Sequence, residues 1–251
     1  MQKSHHLNSS VKMFCLPPAG CSANIYYSWK KILLPEIEVI PLEYPGHGLK
    51  IKQVLADSAL DLAEQLCGEI SESLDQAYCL FGHSLGGALL WEVYKKLVAR
   101  GLTTHLKMLI ISARPEQRYM KKMQFIDQLS DQELIKKLLD FNHIPPAILK
   151  HPDLMKYILA LTRHDFRLSD QLLERSVPYT DVPLLCNAGQ QDPDTQNLKA
   201  IQAWQKYSSN WQGVEVIEGD HFYFKNQKSR DKLFNIIKLK LNNIERINLI
   251  E

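Results

Sequence analysis

The chain has 251 residues, enough for one domain with a sizeable core, and single α/β domains often reach this length. Apolar residues make up 45% and charged residues 23%, which is ordinary for a globular protein and excludes disordered, collagen-like and coiled-coil classes. The formal net charge of +2 is too small for a dedicated nucleic-acid binder. No apolar run approaches the roughly 18 residues of a membrane span, and Met1–Ser10 lacks the apolar region of a secretory signal. We therefore expect a cytoplasmic protein with no nucleic-acid or membrane partner.

The cysteines are scattered and show no C-x-x-C spacing, which argues against a disulfide framework and against a zinc site. They are Cys15, Cys21, Cys67, Cys79 and Cys186. We expect reduced thiols in apolar elements and a protein without a metal.

Predicted strands and helices alternate from the start of the chain. Val11–Leu16 is an apolar run that Pro17 ends, and Val39–Leu42 is a second run followed by a loop rich in Pro and Gly. Ser58 can cap a helix with apolar residues at helical spacing. The later elements are a strand at Tyr78–Phe81, a helix at Gly86–Val98, strands at Leu106–Ile111, Val182–Cys186 and Val214–Ile217, and helices at Asn197–Tyr207 and Ser229–Leu241. The alternation predicts one α/β domain over residues 1–251, with a mostly parallel central sheet and helices on both faces.

One stretch breaks this alternation. About 70 residues separate the strand ending near Ser112 from the strand starting at Val182, far more than a simple crossover needs. Within it, helical faces are formed by Leu134, Leu138 and Phe141 and by the segment Leu154–Leu161. We place a helical insertion at approximately residues 115–176 and interpret it as a lid over the active-site edge, because long insertions usually carry function. Ordinary extra helices packed on the sheet are the alternative.

The strongest chemical signal is Gly82-His83-Ser84-Leu85-Gly86, a G-x-S-x-G motif between a predicted strand and a predicted helix. A nucleophile on such a sharp turn holds a strained backbone, so its neighbours must be small. Ser84 also lies at a helix N-terminus, where the helix dipole and free N–H groups favour an anionic intermediate. We predict that Ser84 is a nucleophile and that the His83 side chain points away from it.

A serine nucleophile requires a base, and the base requires an orienting acid. In this fold class they follow the serine in the order acid, then His. His221 lies just beyond the strand Val214–Ile217, at a strand's carboxyl edge, where ligand sites gather. Asp192 follows the preceding strand and is stiffened by Pro193, and Asp194 is the rival acid. Among the other histidines, His5 and His6 lie in a polar tail, and His143, His151 and His164 lie in the insertion.

Two backbone N–H groups should form an oxyanion hole. Leu85, directly after the nucleophile, supplies one. The other should come from the loop after the first strand, where Pro17 and Pro18 have no N–H to donate. Ala19 is then the first possible donor, with Gly20 behind it.

The sequence resembles the type II thioesterases, free-standing α/β-hydrolases that accompany nonribosomal peptide and polyketide synthases. The resemblance runs from Phe14 to about Ile236, and its motifs together are highly specific. They are Leu16-Pro17-Pro18-Ala19-Gly20, Tyr44-Pro45-Gly46-His47-Gly48, Phe81 to Gly87, Arg163-His164-Asp165-Phe166-Arg167, Gly189-Gln190-Gln191-Asp192-Pro193 with Trp204, and Gly219-Asp220-His221-Phe222. Thioesterase domains built into synthases often carry the acid after the strand that corresponds to Leu106–Ile111. Ser112-Ala113-Arg114 offers no acid there.

The resemblance implies hydrolysis of acyl thioesters on the phosphopantetheine arm of an acyl or peptidyl carrier protein, without a cofactor, by a monomer. It assigns Ser84, Asp192 and His221 to the triad, and Ala19 and Leu85 to the oxyanion hole. Two departures stand out. Many members have His-Ala-Gly-Gly where this chain has Pro18-Ala19-Gly20-Cys21, and the family often has Arg in place of His47. An esterase acting on small oxygen esters and an inactive carrier-binding module are the alternatives.

A basic stretch runs from Val93 to Met123, with eight basic residues against the single acid Glu116 and a net charge of +7. The basic residues are Lys95, Lys96, Arg100, Lys107, Arg114, Arg118, Lys121 and Lys122. We interpret it as a docking surface for an acidic carrier protein, since complementary charge raises the association rate. A solvated helix face with surface loops is the alternative.

Overall fold

The fold is described here from a computed structural model, which covers residues 10–121, 129–140, 144 and 146–247. The strands are β1 (Val11–Leu16), β2 (Ile37–Pro41), β3 (Tyr78–His83), β4 (Leu106–Ser112), β5 (Leu184–Gly189) and β6 (Trp211–Ile217). They form one six-stranded sheet in the order β2-β1-β3-β4-β5-β6. Every one of these pairings is parallel, so the prediction of a mostly parallel sheet is confirmed.

The helices lie between these strands in the chain. They are α1 (Tyr27–Leu33), α2 (Ala59–Ser71), α3 (Leu85–Ala99), α4 (Asp131–Asp140), α5 (Pro152–Leu173), α6 (Leu198–Gln202) and α7 (Gln227–Ile247). Short 3-10 segments occur at Ala23–Tyr26, Gly48–Lys50, Gln117–Tyr119, Pro146–Lys150, Ala203–Tyr207 and Tyr223–Lys225. None of the helices in the described part of the chain is long and apolar enough to cross a membrane.

The sheet is buried on both faces because its strands are apolar at nearly every position. In β1, Phe14 and Leu16 join the core cluster that contains residues of α2 and α3. Met13 and Cys15 join the opposite cluster, which contains residues of α1 and α7. Helices therefore cover both faces of the sheet, as the alternation of elements predicts.

The two insertion helices, α4 and α5, form a small core of their own. It consists of Leu134, Leu138, Ile144, Met155 and Leu159. The second half of α5 instead packs on the body of the domain, where Leu168 and Leu172 join the main core. Both helices fall within residues 115–176, and Phe141 lies outside the described residues. One helix thus connects the insertion to the body.

The strand order places a crevice above β1 and β3. The chain passes from β1 to β2 on one side and crosses to β3 on the other, so the connections leave their carboxyl ends in opposite directions. Ligands bind outside the carboxyl ends of parallel strands at such a switch point. Ala19 follows β1 and Ser84 follows β3, which brings the two candidate segments to this crevice.

Candidate active site

Ser84 occupies a strained turn between β3 and α3. Its φ is +54° and its ψ is −113°, a backbone conformation that is costly for a residue with a side chain. A side chain at Gly82 would overlap the Gly86 carbonyl, and one at Gly86 would overlap the Leu16 carbonyl. The Ser84 N–H donates to the Ser112 carbonyl at 2.8 Å, which ties the turn to β4. The two glycines of the motif are therefore required by close backbone packing.

Asp192 and His221 lie side by side, although 29 positions separate them in the chain. His221 Nδ1 donates to Asp192 Oδ2 at 2.9 Å, and the two residues are 6% and 0% exposed. Backbone bonds hold their loops together, with Gln190 N–H donating to the Ile217 carbonyl at 2.7 Å and Gln191 N–H to the Gly219 carbonyl at 2.8 Å. The arrangement can hold the His221 ring in one orientation and leave Nε2 as its proton-accepting nitrogen.

Asp194, the rival acid, contributes to the site through its backbone. Its N–H donates to Asp192 Oδ1 at 3.0 Å, so it supports the Asp192 carboxylate. Within the described residues, Asp192, Asp194 and His221 are the one group of potential metal ligands that lie close together, with atoms within 4.8 Å of one another. Within this group, His221 Nδ1 already donates its hydrogen bond to Asp192.

His83 packs beside His221, a neighbour that the sequence motif does not reveal. Its ring centroid lies 5.0 Å from that of His221, and the residue is fully buried. His83 Nδ1 lies 2.8 Å from Ser112 Oγ, which is 2.6 Å from the Tyr223 hydroxyl. Phe222 and Phe224 pack against the same ring. This buried group supports one side of the His221 ring.

In the loop after β1, some backbone N–H groups already donate hydrogen bonds within the protein and others do not. Gly20 N–H donates to Asp165 Oδ2 on α5 at 2.7 Å, and Cys21 N–H donates to the Pro18 carbonyl at 3.2 Å. Among the described residues, none accepts a hydrogen bond from Ala19 N–H, and Ala19 lines the same cavity as Ser84. Leu85 N–H lies in the first turn of α3, where N–H groups have no partner within the helix. The hydrogen bonds thus favour Ala19 over Gly20 as the second candidate oxyanion donor, beside Leu85.

A cavity of about 280 Å³ joins these segments to the insertion. The body contributes Pro18, Ala19, Ser84, Leu85, Arg114, Asp194 and His221, and the insertion contributes Lys137, Leu138, Phe166, Ser169, Asp170 and Leu173. Cys21 does not line this cavity, and burial raises the pKa of its thiol. The lining mixes apolar and charged side chains, and Ser84 and His221 both lie in it, so a bound group in the cavity would contact both.

Several basic residues of the stretch 93–123 are paired with acids, so the stretch carries less unpaired positive charge than its sequence indicates. On α3, Lys95 contacts Glu92 at 2.5 Å, Lys96 contacts Glu64 at 2.6 Å, and Arg100 also contacts Glu64. The charge count over residues 93–123 did not include these two acids, because Glu92 comes just before residue 93 and Glu64 lies in α2.

Two further basic residues of the stretch are also engaged. Arg114 is 4% exposed and donates to Ser169 Oγ, and burial lowers the pKa of its guanidinium to about 10. Arg118 pairs with the buried Glu116 at 3.0 Å. Lys121 is exposed and lines the cavity, whereas Lys122 and Met123 lie outside the described residues.

The chain is similar to known thioesterases over most of its length. The thioesterase domain family matches residues 11–241. The thioesterase PikA5 of Streptomyces venezuelae is 24% identical over 229 residues, which cover 88% of this chain and 78% of that protein. The AMB antimetabolite synthetase AmbE of Pseudomonas aeruginosa is 26% identical over 88% of this chain, but the match spans only 10% of that much longer protein.

Among solved structures, the type II thioesterase BorB from the borrelidin biosynthetic cluster is 26% identical to this chain. The alignment covers 94% of each chain and has a TM-score of 0.81. This likeness extends the resemblance to the whole described fold, including the α/β-hydrolase sheet.

Proposed function

Because the chain belongs to the thioesterase family and is similar to free-standing type II members, we propose that it hydrolyses acyl thioesters carried on the phosphopantetheine arm of carrier proteins. Such an enzyme clears stalled or mis-primed acyl groups from a synthase. The observation that carries the proposal is the buried hydrogen bond between His221 and Asp192, next to a cavity that also contains Ser84.

In the proposed mechanism, Ser84 Oγ attacks the thioester carbonyl carbon while His221 Nε2 takes the hydroxyl proton. Asp192 holds the imidazole orientation and stabilises the imidazolium. The carbonyl oxygen becomes an oxyanion that Ala19 and Leu85 N–H groups stabilise. The C–S bond then breaks, His221 returns the proton to the pantetheine sulfur, and an acyl-serine ester remains.

The second half of the reaction repeats these roles with water. His221 takes a proton from water as its oxygen attacks the acyl-serine carbonyl, and the same two N–H groups stabilise the second oxyanion. The ester bond breaks, Ser84 Oγ regains its proton from His221, and the free acid leaves. No cofactor takes part in either half.

The volume and lining of the cavity indicate which acyl groups it can hold. Its volume of about 280 Å³ lies below the roughly 300–1,000 Å³ of common ligand sites. Leu138, Phe166 and Leu173 of the insertion line it, so the insertion acts as the lid that selects the acyl chain. We expect short acyl groups to be released faster than long ones, although one methylene is worth only about 1–3 kcal/mol of discrimination.

The proposal is tested with a panel of holo carrier proteins loaded with acyl groups from acetyl to palmitoyl, the released acid being quantified. Ser84→Ala should lower the rate of hydrolysis by about four or more orders of magnitude and leave the melting temperature unchanged. A variant that retains more than a tenth of the wild-type rate would contradict the assignment.

Two further substrates separate the alternatives. Faster turnover of small nitrophenyl esters than of acyl-pantetheine thioesters would favour an esterase. Failure of a serine-directed phosphonate to label the wild-type protein would favour an inactive carrier-binding module.

Basic residues in the cavity lining support carrier docking on a smaller surface than the sequence predicts. Lys121 is exposed and lines the cavity, and Lys137 lines it from α4. Lys121→Glu should raise KM for acyl-carrier substrates but not for small acyl thioesters, and added salt should reduce the difference. Lys31→Glu, an exposed change on α1, is the matched control. Equal effects on both substrate classes would exclude this docking surface.

A further inference from the structure

The Asp165 carboxylate lies between the insertion and the loop that carries the proposed oxyanion donor. It is completely buried and belongs to α5. Its Oδ2 accepts hydrogen bonds from Gly20 N–H at 2.7 Å and from His47 Nε2 at 3.0 Å, and its Oδ1 lies 3.1 Å from His164 Nδ1. One carboxylate therefore joins the loop after β1, the loop after β2 and the insertion.

The hydrogen-bond partners of His47 fix its charge. Its Nδ1 lies 2.9 Å from the Pro45 carbonyl, and its Nε2 faces the Asp165 carboxylate. Both partners only accept hydrogen bonds, so both ring nitrogens must donate, which requires the imidazolium form. Although burial lowers the pKa of His47, the hydrogen bond and charge of Asp165 raise it above its ordinary value. His47 and Asp165 thus form a buried ion pair.

The carboxylate charge is stabilised in the same way. Burial alone would raise the pKa of Asp165, but hydrogen bonds from His164, His47 and Gly20 hold it below its ordinary value. His164 continues the connection, because its Nε2 lies 2.9 Å from the Ala56 carbonyl ahead of α2. The whole group is a charged cross-link between the insertion and the body of the domain.

The Gly20 bond determines how the neighbouring peptide lies. Gly20 has a φ of +67°, the left-handed conformation that turns the chain sharply. Asp165 holds the Gly20 N–H, and Ala19, one residue earlier, lines the cavity. The orientation of the proposed donor therefore depends on a side chain of the insertion.

We propose that Asp165 is a positioning residue that aligns the Ala19 N–H for the oxyanion, so that the oxyanion hole is complete only when α5 is seated on the loop after β1. This inference rests on the proposed function and deepens it. A buried ion pair by itself is weak evidence for stability, so the test must separate alignment from mere anchoring.

The test compares Asp165→Asn with Asp153→Asn, the same substitution at an exposed position of α5. Three quantities are measured on each folded protein: kcat and KM for an acyl-pantetheine thioester, the melting temperature, and the Ki of an acyl trifluoromethyl ketone. Ser84 Oγ adds to the carbonyl carbon of the ketone while the Ser84 hydroxyl proton moves to His221. The ketone oxygen becomes an oxyanion that occupies the hole, so the Ki reports on the hole directly.

Loss of one complete oxyanion donor costs about 10²–10³ in kcat, so a displaced donor in Asp165→Asn should lower kcat by about 10- to 100-fold. KM should stay within about threefold, and Ki should rise in parallel with the loss of kcat/KM, because the interaction is made in the transition state. A lower melting temperature with unchanged kcat and Ki would overturn the proposal and leave Asp165 as an anchor. Asp153→Asn should leave all of these quantities unchanged.

A second variant covers the case in which Asp165→Asn does not fold. Asp165→Glu keeps the carboxylate charge but moves its oxygens relative to Gly20 N–H, and it too should raise Ki. An unchanged Ki in this folded variant would overturn the proposal.

Phosphonate labelling of Ser84 separates this inference from the proposed function, because the phosphonyl oxygen also enters the hole. Slower labelling of Asp165→Asn supports the inference even if no acyl-pantetheine substrate is turned over. Equal labelling rates, with hydrolysis by the wild type, overturn the inference and leave the proposed function intact.

Discussion

Two buried carboxylate–histidine pairs lie on opposite sides of the crevice, and they differ in what the second ring nitrogen meets. His221 lies 2.9 Å from Asp192 and His47 lies 3.0 Å from Asp165, and none of the four residues is more than 6% exposed. The second nitrogen of His47 faces the Pro45 carbonyl at 2.9 Å. The ring of His221, in contrast, lines the cavity that contains Ser84.

This difference shows that a buried pair of His and Asp does not define a role by itself. In His47 the second nitrogen meets a carbonyl and Asp165 raises the pKa of the ring, so both nitrogens donate and the ring is a cation. When the ring borders a cavity, one nitrogen can exchange a proton with a bound molecule. The pair of Asp192 and His221 is therefore suited to catalysis, and the pair of Asp165 and His47 to holding loops in place.

Truncating each histidine should separate the two roles most strongly. His221→Ala removes the proposed base and should lower kcat for acyl-pantetheine hydrolysis by about 10⁴–10⁶, with little change in melting temperature. His47→Ala leaves Asp165 as a buried charge without its cation, so it should lower the melting temperature and reduce kcat far less. Steady-state kinetics and thermal unfolding of both variants provide the measurement. A larger loss of kcat in His47→Ala would reverse the two assignments.

The two acids beside His221 provide the next test. Asp192→Asn should favour the wrong imidazole tautomer, a change that costs about 10⁴ in kcat in a comparable triad. Asp194→Asn should have a much smaller effect, because Asp194 supports Asp192 through its backbone N–H, which the substitution retains. The two kcat values, measured at one pH with the same substrate, decide between them. A larger loss at Asp194 would identify it as the orienting acid.

Much of the fold and the first pair could be predicted because their signals are local. Each predicted strand falls on an observed one, although β3 and β5 run on to His83 and Gly189. These added carboxyl ends contain glycine and polar residues, which only pairing with neighbouring strands makes extended. Ser84, Asp192 and His221 could be named as candidates from the sequence because motif and chain order point to them, and the structure places Asp192 beside His221. The short helix α1 was missed, since only Trp29 and Leu33 of its seven residues are buried.

The second pair could not be predicted, because its contacts join distant parts of the chain. The bond between Asp165 and Gly20 spans 145 positions, and the bond between Asp165 and His47 spans 118. No spacing rule relates these segments, and only the packing of α5 brings them together. The acids that pair with the basic stretch could not be predicted for the same reason, since Glu64 contacts Lys96 from another helix.

The pH dependence of stability gives the finest distinction between a fixed cation and a group that exchanges its proton. Asp165 raises the pKa of His47 in the folded protein above the ordinary value of about 6.5. The folded state therefore binds this proton more tightly than the unfolded state does. The resulting stability is complete below about pH 6.5 and is lost as the pH rises through the pKa of folded His47. The pKa of Asp165 is lowered, so its own contribution is lost only on acidification below about pH 4 and leaves this window unaffected.

A permanent cation at the same position provides the comparison. His47→Arg keeps a positive charge beside Asp165 at every pH of the experiment, so its free energy of unfolding should lack this loss. Urea unfolding of both proteins between pH 6 and 8 measures the difference. If the folded state binds the His47 proton tenfold more tightly than the unfolded state, the two free energies of unfolding should change differently by about 1.4 kcal/mol. Each further factor of ten adds the same amount. Parallel curves for wild type and variant would show that His47 holds no extra proton in the folded state.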